Sequence, residues 1–120
     1  ITKIGDSVTI YNAPAEPRIV SVASTATLSI SSSITDQSII TAQSQALTIA
    51  APTGTPVEGQ KLIIRLKDNG TGRALTWNAI YRALGNTIPT TTVANKLTYV
   101  GLIYNITDTK WDVVAVSQEA

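Results

Sequence analysis

Thr, Ile and Val recur along this chain in alternating order, between short runs of Gly, Pro, Asn, Asp and Ser, and this pattern limits the fold more than anything else. There are 18 Thr, 15 Ile and 9 Val, about a third of the 120 residues. β-branched side chains lose rotamer freedom on a helix and pack well on a pleated surface. Blocks of Ala, Leu, Glu and Lys that would favour helices are missing. The expectation is an all-β domain: a jelly-roll-like β-sandwich of about eight to nine short antiparallel strands. No repeat period is visible, so no solenoid is expected.

Along the chain, 7–11 reads as a short strand with Val8 and Ile10 on one face. The stretch 12–17 cannot be a central strand, because Pro14 and Pro17 remove ladder donors and restrict their predecessors. Residues 1–17 therefore read as an N-terminal connecting arm and 18–120 as the domain. Strands are expected over 18–22, 25–30, 37–41, 46–50, 60–67, 73–77, 80–84, 96–105 and 110–116. The nine residues 51–59 hold two Pro and two Gly and read as the longest loop. Asn69-Gly70 predicts a tight hairpin joining 60–67 to 73–77, because a type I′ turn needs positive φ at both central residues. Residues 96–105 are apolar on both faces and should run centrally, covered on both sides, with a bulge or a close backbone approach at Gly101.

Composition excludes several chemistries. With no Cys there is no disulfide, no Cys-bound metal and no thiol nucleophile, and with no His the commonest general base and metal ligand is gone. Nine Lys and Arg against eight Asp and Glu leave a net charge of +1, too balanced for a phosphate-gripping nucleic-acid binder. The strongest apolar run, 99–104, falls well short of the roughly 20 residues of a membrane helix. No basic and apolar leader opens the chain, and Met is absent, so the chain is expected to be a fragment or processed product. No cofactor, metal or catalytic residue is expected.

Few residues suggest chemistry. Asp68-Asn-Gly-Thr-Gly72 has the look of a Ca²⁺ loop, but an EF-hand loop needs spaced carboxylates and a Glu at its twelfth position, where Ala79 stands. The turn explains those residues without a metal. Asp108 and Asp112 flank Trp111; four residues of strand would hold them ~13 Å apart, too far for a glycosidase pair. They read as turn and solvent-face residues. Trp77, Tyr99 and Trp111 read as core, since without Phe or Met the aromatics must supply large apolar volume. Tyr81 beside Arg82 is the best exposed aromatic. Lys61, Arg65 and Lys67 form a basic stripe suited to guarding a sheet edge. Tyr81, Arg82, Lys61 and Arg65 are thus the candidates for contact with a glycan or partner. Val8, Ile10, Tyr11, Pro14 and Pro17 are those for an assembly arm.

The stretch 42–56 runs into Glu58-Gly-Gln-Lys-Leu-Ile-Ile-Arg-Leu-Lys-Asp-Asn-Gly70. Arg73-Ala-Leu-Thr-Trp77, Leu84-Gly85, Pro89-Thr-Thr-Thr-Val93, Tyr99-Val-Gly-Leu-Ile-Tyr-Asn105 and Lys110-Trp-Asp-Val-Val-Ala-Val116 follow. Together these segments resemble, over roughly residues 25–118, a β-rich domain at the C-terminus of many tailed-bacteriophage virion proteins: tail-fibre-like, baseplate-associated and head-decorating. The resemblance implies a non-enzymatic virion structural protein, attached through its N-terminal arm to other capsid or tail proteins and projecting a sandwich. It also implies a homotrimer, since such appendages sit on symmetry axes. The arm matches no family. The alternative is a carbohydrate-binding module that recognises host-surface glycans. Neither reading involves nucleic acid or membrane insertion.

Overall fold

The computed structural model describes residues 16–120; the expected strand at 7–11 and arm residues Val8, Ile10, Tyr11 and Pro14 lie outside the described residues. Nine strands follow: β1 (Ile19–Val22), β2 (Thr27–Leu28), β3 (Gln37–Gln43), β4 (Leu47–Ile49), β5 (Lys61–Asp68), β6 (Leu75–Trp77), β7 (Tyr81–Ala83), β8 (Leu97–Asn105) and β9 (Lys110–Gln118). No helix occurs among the described residues. The all-β expectation holds; each strand expected from residue 18 on has a counterpart, with those at 25–30, 46–50, 73–77 and 80–84 shortened to two or three residues.

The connectivity is different from that expected. The strands form a six-stranded sheet of order β1-β3-β5-β8-β9-β7 and a three-stranded sheet of order β2-β4-β6. From β1 to β6 the chain alternates between the two sheets, so β1, β3 and β5 stack parallel in one while β2, β4 and β6 stack parallel in the other. Of the nine described strands, β5–β8 and β8–β9 pair antiparallel, and β7 joins β9 in parallel. The antiparallel expectation is therefore corrected, and so is the dismissal of a coil. The first two-thirds of the domain winds as a short parallel coil. The step from one rung to the next is irregular (Ile19 to Gln37, then Gln37 to Ile63), so no fixed period is written into the sequence.

The hairpin expected at Asn69-Gly70 is also absent. β5 pairs with β3 and β8, and β6 pairs with β4. Gly70 adopts positive φ but Asn69 does not, so the type I′ geometry is not formed, and the chain crosses to the other sheet rather than returning alongside β5. A two-residue turn specifies reversal, and tertiary packing decides which strand receives the returning chain. The hairpin between β8 and β9 does form, with its register shift at Gly101 as expected.

Both sheets turn apolar side chains onto one core. Leu28, Leu47, Ile49 and Leu75 come from the small sheet, and Ile40, Leu62, Ile64, Leu66, Val100, Leu102, Trp111 and Val113 from the large one. Each such side chain contributes about 1.5–3 kcal/mol on burial. Strict alternation in β5 puts Leu62, Ile64 and Leu66 inside and Lys61, Ile63 and Lys67 outside. β8 runs centrally as expected but is covered on one face only, leaving Tyr99 39% exposed.

Buried polar groups fasten the corners where the chain changes sheet. Gln43 is fully buried; its Nε2 donates to the carbonyls of Thr25 and Gln45, both at 2.7 Å, and its Oε1 accepts from Thr25 N and Ser24 Oγ. Half-buried Gln60 makes a similar clip, donating to Ser32 O at 2.7 Å while accepting from Val57 N. Buried polar groups left unpaired are costly, so each glutamine serves as a clip between successive rungs.

Candidate functional site

The charged clusters come first, because a reactive site would be built from them. Arg82 on β7 lies in register with Asp112 on β9. Its Nε donates to Asp112 Oδ1 at 2.7 Å and its Nη2 to Asp108 Oδ2 at 3.0 Å. Asn105 Nδ2 reaches both carboxylates, at 3.4 and 3.5 Å. The hydrogen bonds to Asp112, then Asp108, raise the guanidinium's pKa further. Thr109, at φ 54°, closes the turn that folds Asp108 back, so the separation expected along an unbroken strand does not apply. Asp112, expected on the solvent face, is buried. One cation holding two anions is a brace across the sheet, not a pair of free carboxylates.

Asp68 is the second cluster. Its carboxylate is buried and accepts from Gly70 N at 2.7 Å, Thr92 Oγ1 at 3.0 Å and Asn95 N at 3.4 Å. Burial works against its charge, but these bonds and one from Thr71 N outweigh it and hold the pKa below the usual carboxylate value. Arg73 Nε lies 3.7 Å from Oδ1, close enough for attraction but with no hydrogen-bond partner of its own. The carboxylate thus organises the 68–72 turn and pins the 88–95 segment through buried Thr92. Among the described residues no three His, Cys, Asp or Glu gather as a metal site would need.

The glycan candidates separate. Tyr81, expected outside, is buried; its hydroxyl donates to Ala50 O at 2.8 Å and its ring meets Trp77 edge-on at 5.2 Å. Burial pushes its phenol well above the ordinary range. Tyr99, expected in the core, lies outside instead. The exchange follows from register. Tyr99 sits opposite Arg65 on the outward set of β8, while Thr98, Val100 and Leu102 take the inward one. Arg65 Nη1 is 3.4 Å from the Tyr99 hydroxyl. Trp77 is half-buried against the core, and Trp111 is fully inside, as expected. Lys61, Arg65 and Lys67 lie on the outer side of β5, which has neighbours on both sides, so the stripe guards no edge. Pro17 is exposed, near Asp36, Gln37 and Lys61 in a shallow cleft.

The feature that sequence reading missed is the open end of the coil. β1 and β2 are the first strands of their sheets, and neither has a partner on its outer side among the described residues. All four β1 residues are exposed. Val20 and Val22 pair with buried Ser38 and Ile40, so they face the sheet interior, yet they are 43% and 39% exposed. With Leu28, Ile30 and Ile34 they line a groove of about 260 Å³ between the sheets. Natural edges usually carry a Lys, a Pro or a bulge. Ile19-Val-Ser-Val22 carries none, and that absence is the signal in the sequence.

No protein-family model, curated protein or solved structure matches this chain.

Proposed function

We propose that this chain is a non-enzymatic structural protein of a bacteriophage virion, a tail-fibre, tail-tip or capsid-decorating component. It attaches through its N-terminal segment and projects its two-layered β domain as a sandwich. One observation carries the reading. Among the described residues, β1 and β2 end their sheets on the side of the N-terminal segment, with all of β1 exposed beside an apolar groove, while β7 and β6 end them on the other side. Free main-chain donors and acceptors beside an apolar groove suit strand addition and assembly. The resemblance to phage virion proteins covers roughly residues 25–118, β2 through β9, and supplies the particle context. The side chains with chemical potential, Arg82, Asp108, Asp112, Asp68 and Arg73, are engaged in holding turns and strands together.

Mass spectrometry of purified particles, followed by electron cryomicroscopy, tests the proposal. The chain should be recovered at fixed stoichiometry, with density for its β domain outside the capsid or tail. Its absence from washed particles overturns the reading.

A second reading, glycan recognition, draws on a different face. Tyr99 and Arg65 sit side by side on the exposed surface of the large sheet, with Ile63 and Lys61 along the same strand. An aromatic face beside a cation is the usual kind of sugar platform. Glycan-array binding that disappears in Tyr99→Ala, with folding intact, would favour this reading over a purely structural role.

A further inference from the structure

β3 carries one residue more than its neighbour β5 can match. Ile40 pairs with Leu66 and Gln43 with Asp68, so Thr41 and Ala42 together oppose the single residue Lys67. Both are exposed, whereas Ile39, Ile40 and Gln43 around them are buried. A bulge of this kind bends its strand, re-aims side chains and is common beside functional sites. Next to it, on the outer side of β5, lies a cleft of about 320 Å³ lined by Ile39, Ile40, Thr41, Arg65, Lys67 and Leu97.

The cleft is cationic, and no carboxylate lines it. Arg65 and Lys67 alternate on one face of β5, ~7 Å apart along the strand. Among the described residues neither makes an ion pair, whereas Arg18, Arg73 and Arg82 all do. Glu119 reaches the main chain beside the cleft, accepting from Leu97 N at 3.0 Å, without entering the lining. Lys61, the third cation of the stripe, differs, because it shares its own cleft with Glu16 and Asp36. Across the strand pair, Tyr99 stands opposite Arg65 and Leu97 opposite Lys67, so an aromatic ring and an aliphatic side chain flank the two cations.

We propose that this cleft takes an acidic sugar, a pyranose bearing a carboxylate, with the carboxylate between Arg65 and Lys67 and the ring against Leu97 and Tyr99. The assignment rests on the glycan reading above and names the class of glycan. Two unpaired cations beside apolar walls, with the Thr41 hydroxyl at hand, complement a compact ligand with one acid group. A peptide is a poorer occupant, since β5 has neighbours on both sides and offers it no main-chain edge. Nucleic acid is poorer still, because two cations neutralise too few phosphates to hold it.

The test titrates oligosaccharides of galacturonic, glucuronic and sialic acid into the protein. Each is paired with its methyl ester, which keeps the rings and removes the charge. Two-dimensional NMR reads affinity and location together. At least one acid should bind and shift amides in 39–42, 65–67 and 97–99, and its ester should bind about tenfold more weakly, the value of one charged hydrogen bond. Arg65→Gln and Lys67→Gln should each weaken the acid about tenfold and the ester little, by the same reasoning. Lys67→Arg should retain acid binding. Lys110→Gln, two strands away on β9, should change neither ligand. An unaltered amide pattern away from the cleft verifies that each variant is folded. Acid and ester bound equally, and lost together in Tyr99→Ala, overturn the inference and leave glycan recognition standing. Binding of no sugar of either kind overturns both. A hexaglutamate peptide or a DNA duplex held as tightly as the acids, and as dependent on Lys67, also overturns the inference by making the cleft a general polyanion contact.

Discussion

The hydroxyl of Tyr81 donates to the main-chain carbonyl of Ala50 at 2.8 Å, linking edge strand β7 of the large sheet to the residue just after β4 in the small one. The bond ties the middle of the coil to the last strand of the large sheet. Tyr81→Phe should therefore cost about 1–2 kcal/mol in urea unfolding, the expense of one buried acceptor left unpaired. Tyr81→Ala should cost about 3–5 kcal/mol, because it also empties the space beside Trp77. Tyr99→Ala should stay within about 0.5 kcal/mol of the parent. If Tyr81→Ala proved neutral and Tyr99→Ala severe, the facing of these two rings would be wrong.

Gln43 makes a sharper test of the corners. Its carboxamide pairs with both main-chain groups of Thr25 and the carbonyl of Gln45. Gln43→Leu keeps the volume and strands these groups in the interior, so a loss of about 2–4 kcal/mol is expected. Gln43→Glu should be worse at neutral pH, since it sets a carboxylate against two carbonyl oxygens. The measurement is the denaturant midpoint of each variant. A loss below 1 kcal/mol for Gln43→Leu would mean that water already serves these groups, by the ordinary range for a missing bond.

Much of this was legible in the sequence, for reasons particular residues make plain. Leu62, Ile64 and Leu66 alternate with Lys61 and Lys67, and a period of two announces a strand with one buried face whatever its neighbours are. Pairing partners were not legible. Asn69-Gly70 lies where the chain turns, but only Gly70 takes positive φ, and nothing local states that β6 will land beside β4 rather than β5. The facing of Tyr99 was hidden because 96–105 is apolar on both sides, so alternation gave no contrast to read. Asp112 was hidden for the opposite reason: a lone carboxylate looks solvated until Arg82, thirty positions earlier, is seen to pair with it. The coil escaped notice because its rungs differ in length.

Gly54 should tolerate no side chain. Its φ is +87°, a region L-residues rarely adopt, and a Cβ there would sit 2.9 Å from Ser32 Oγ. That hydroxyl donates to Thr53 O at 2.7 Å, inside one of the connections between rungs. Gly54→Ala should lower stability by about 1–3 kcal/mol through strain and displacement of Ser32. Gly59→Ala makes the comparison, because Gly59 also has positive φ but nothing within 4 Å of its Cβ position. The difference between the two variants isolates the contact from the strain. Equal losses in thermal melting would show that Ser32 yields freely.

Acid should unfold the domain through two aspartates in different settings. Asp36 is held near a pKa of about 2, first by its hydrogen bonds from the Arg18 side chain and then by one from Arg18 N. Asp68 is also lowered: burial opposes its charge, and bonds from Gly70, Thr92, Asn95 and Thr71 outweigh it. In both cases the folded pKa lies below that of the unfolded chain, near 3.8. The unfolded state takes up the proton first as pH falls, so the stabilisation is complete above about pH 4 and lost below it. Denaturant midpoints at pH 7 and at about pH 2.5 should bracket the change for the parent, Asp68→Asn and Asp36→Asn, given the unfolded carboxyl value. Each variant should trail the parent at pH 7 and draw closer to it in acid. Asp36 is solvent-exposed, so its gap should be small and shrink in salt, whereas that of Asp68 should resist salt. A gap for Asp68→Asn that is the same at both pH values would show that shape, not charge, holds the 68–72 turn.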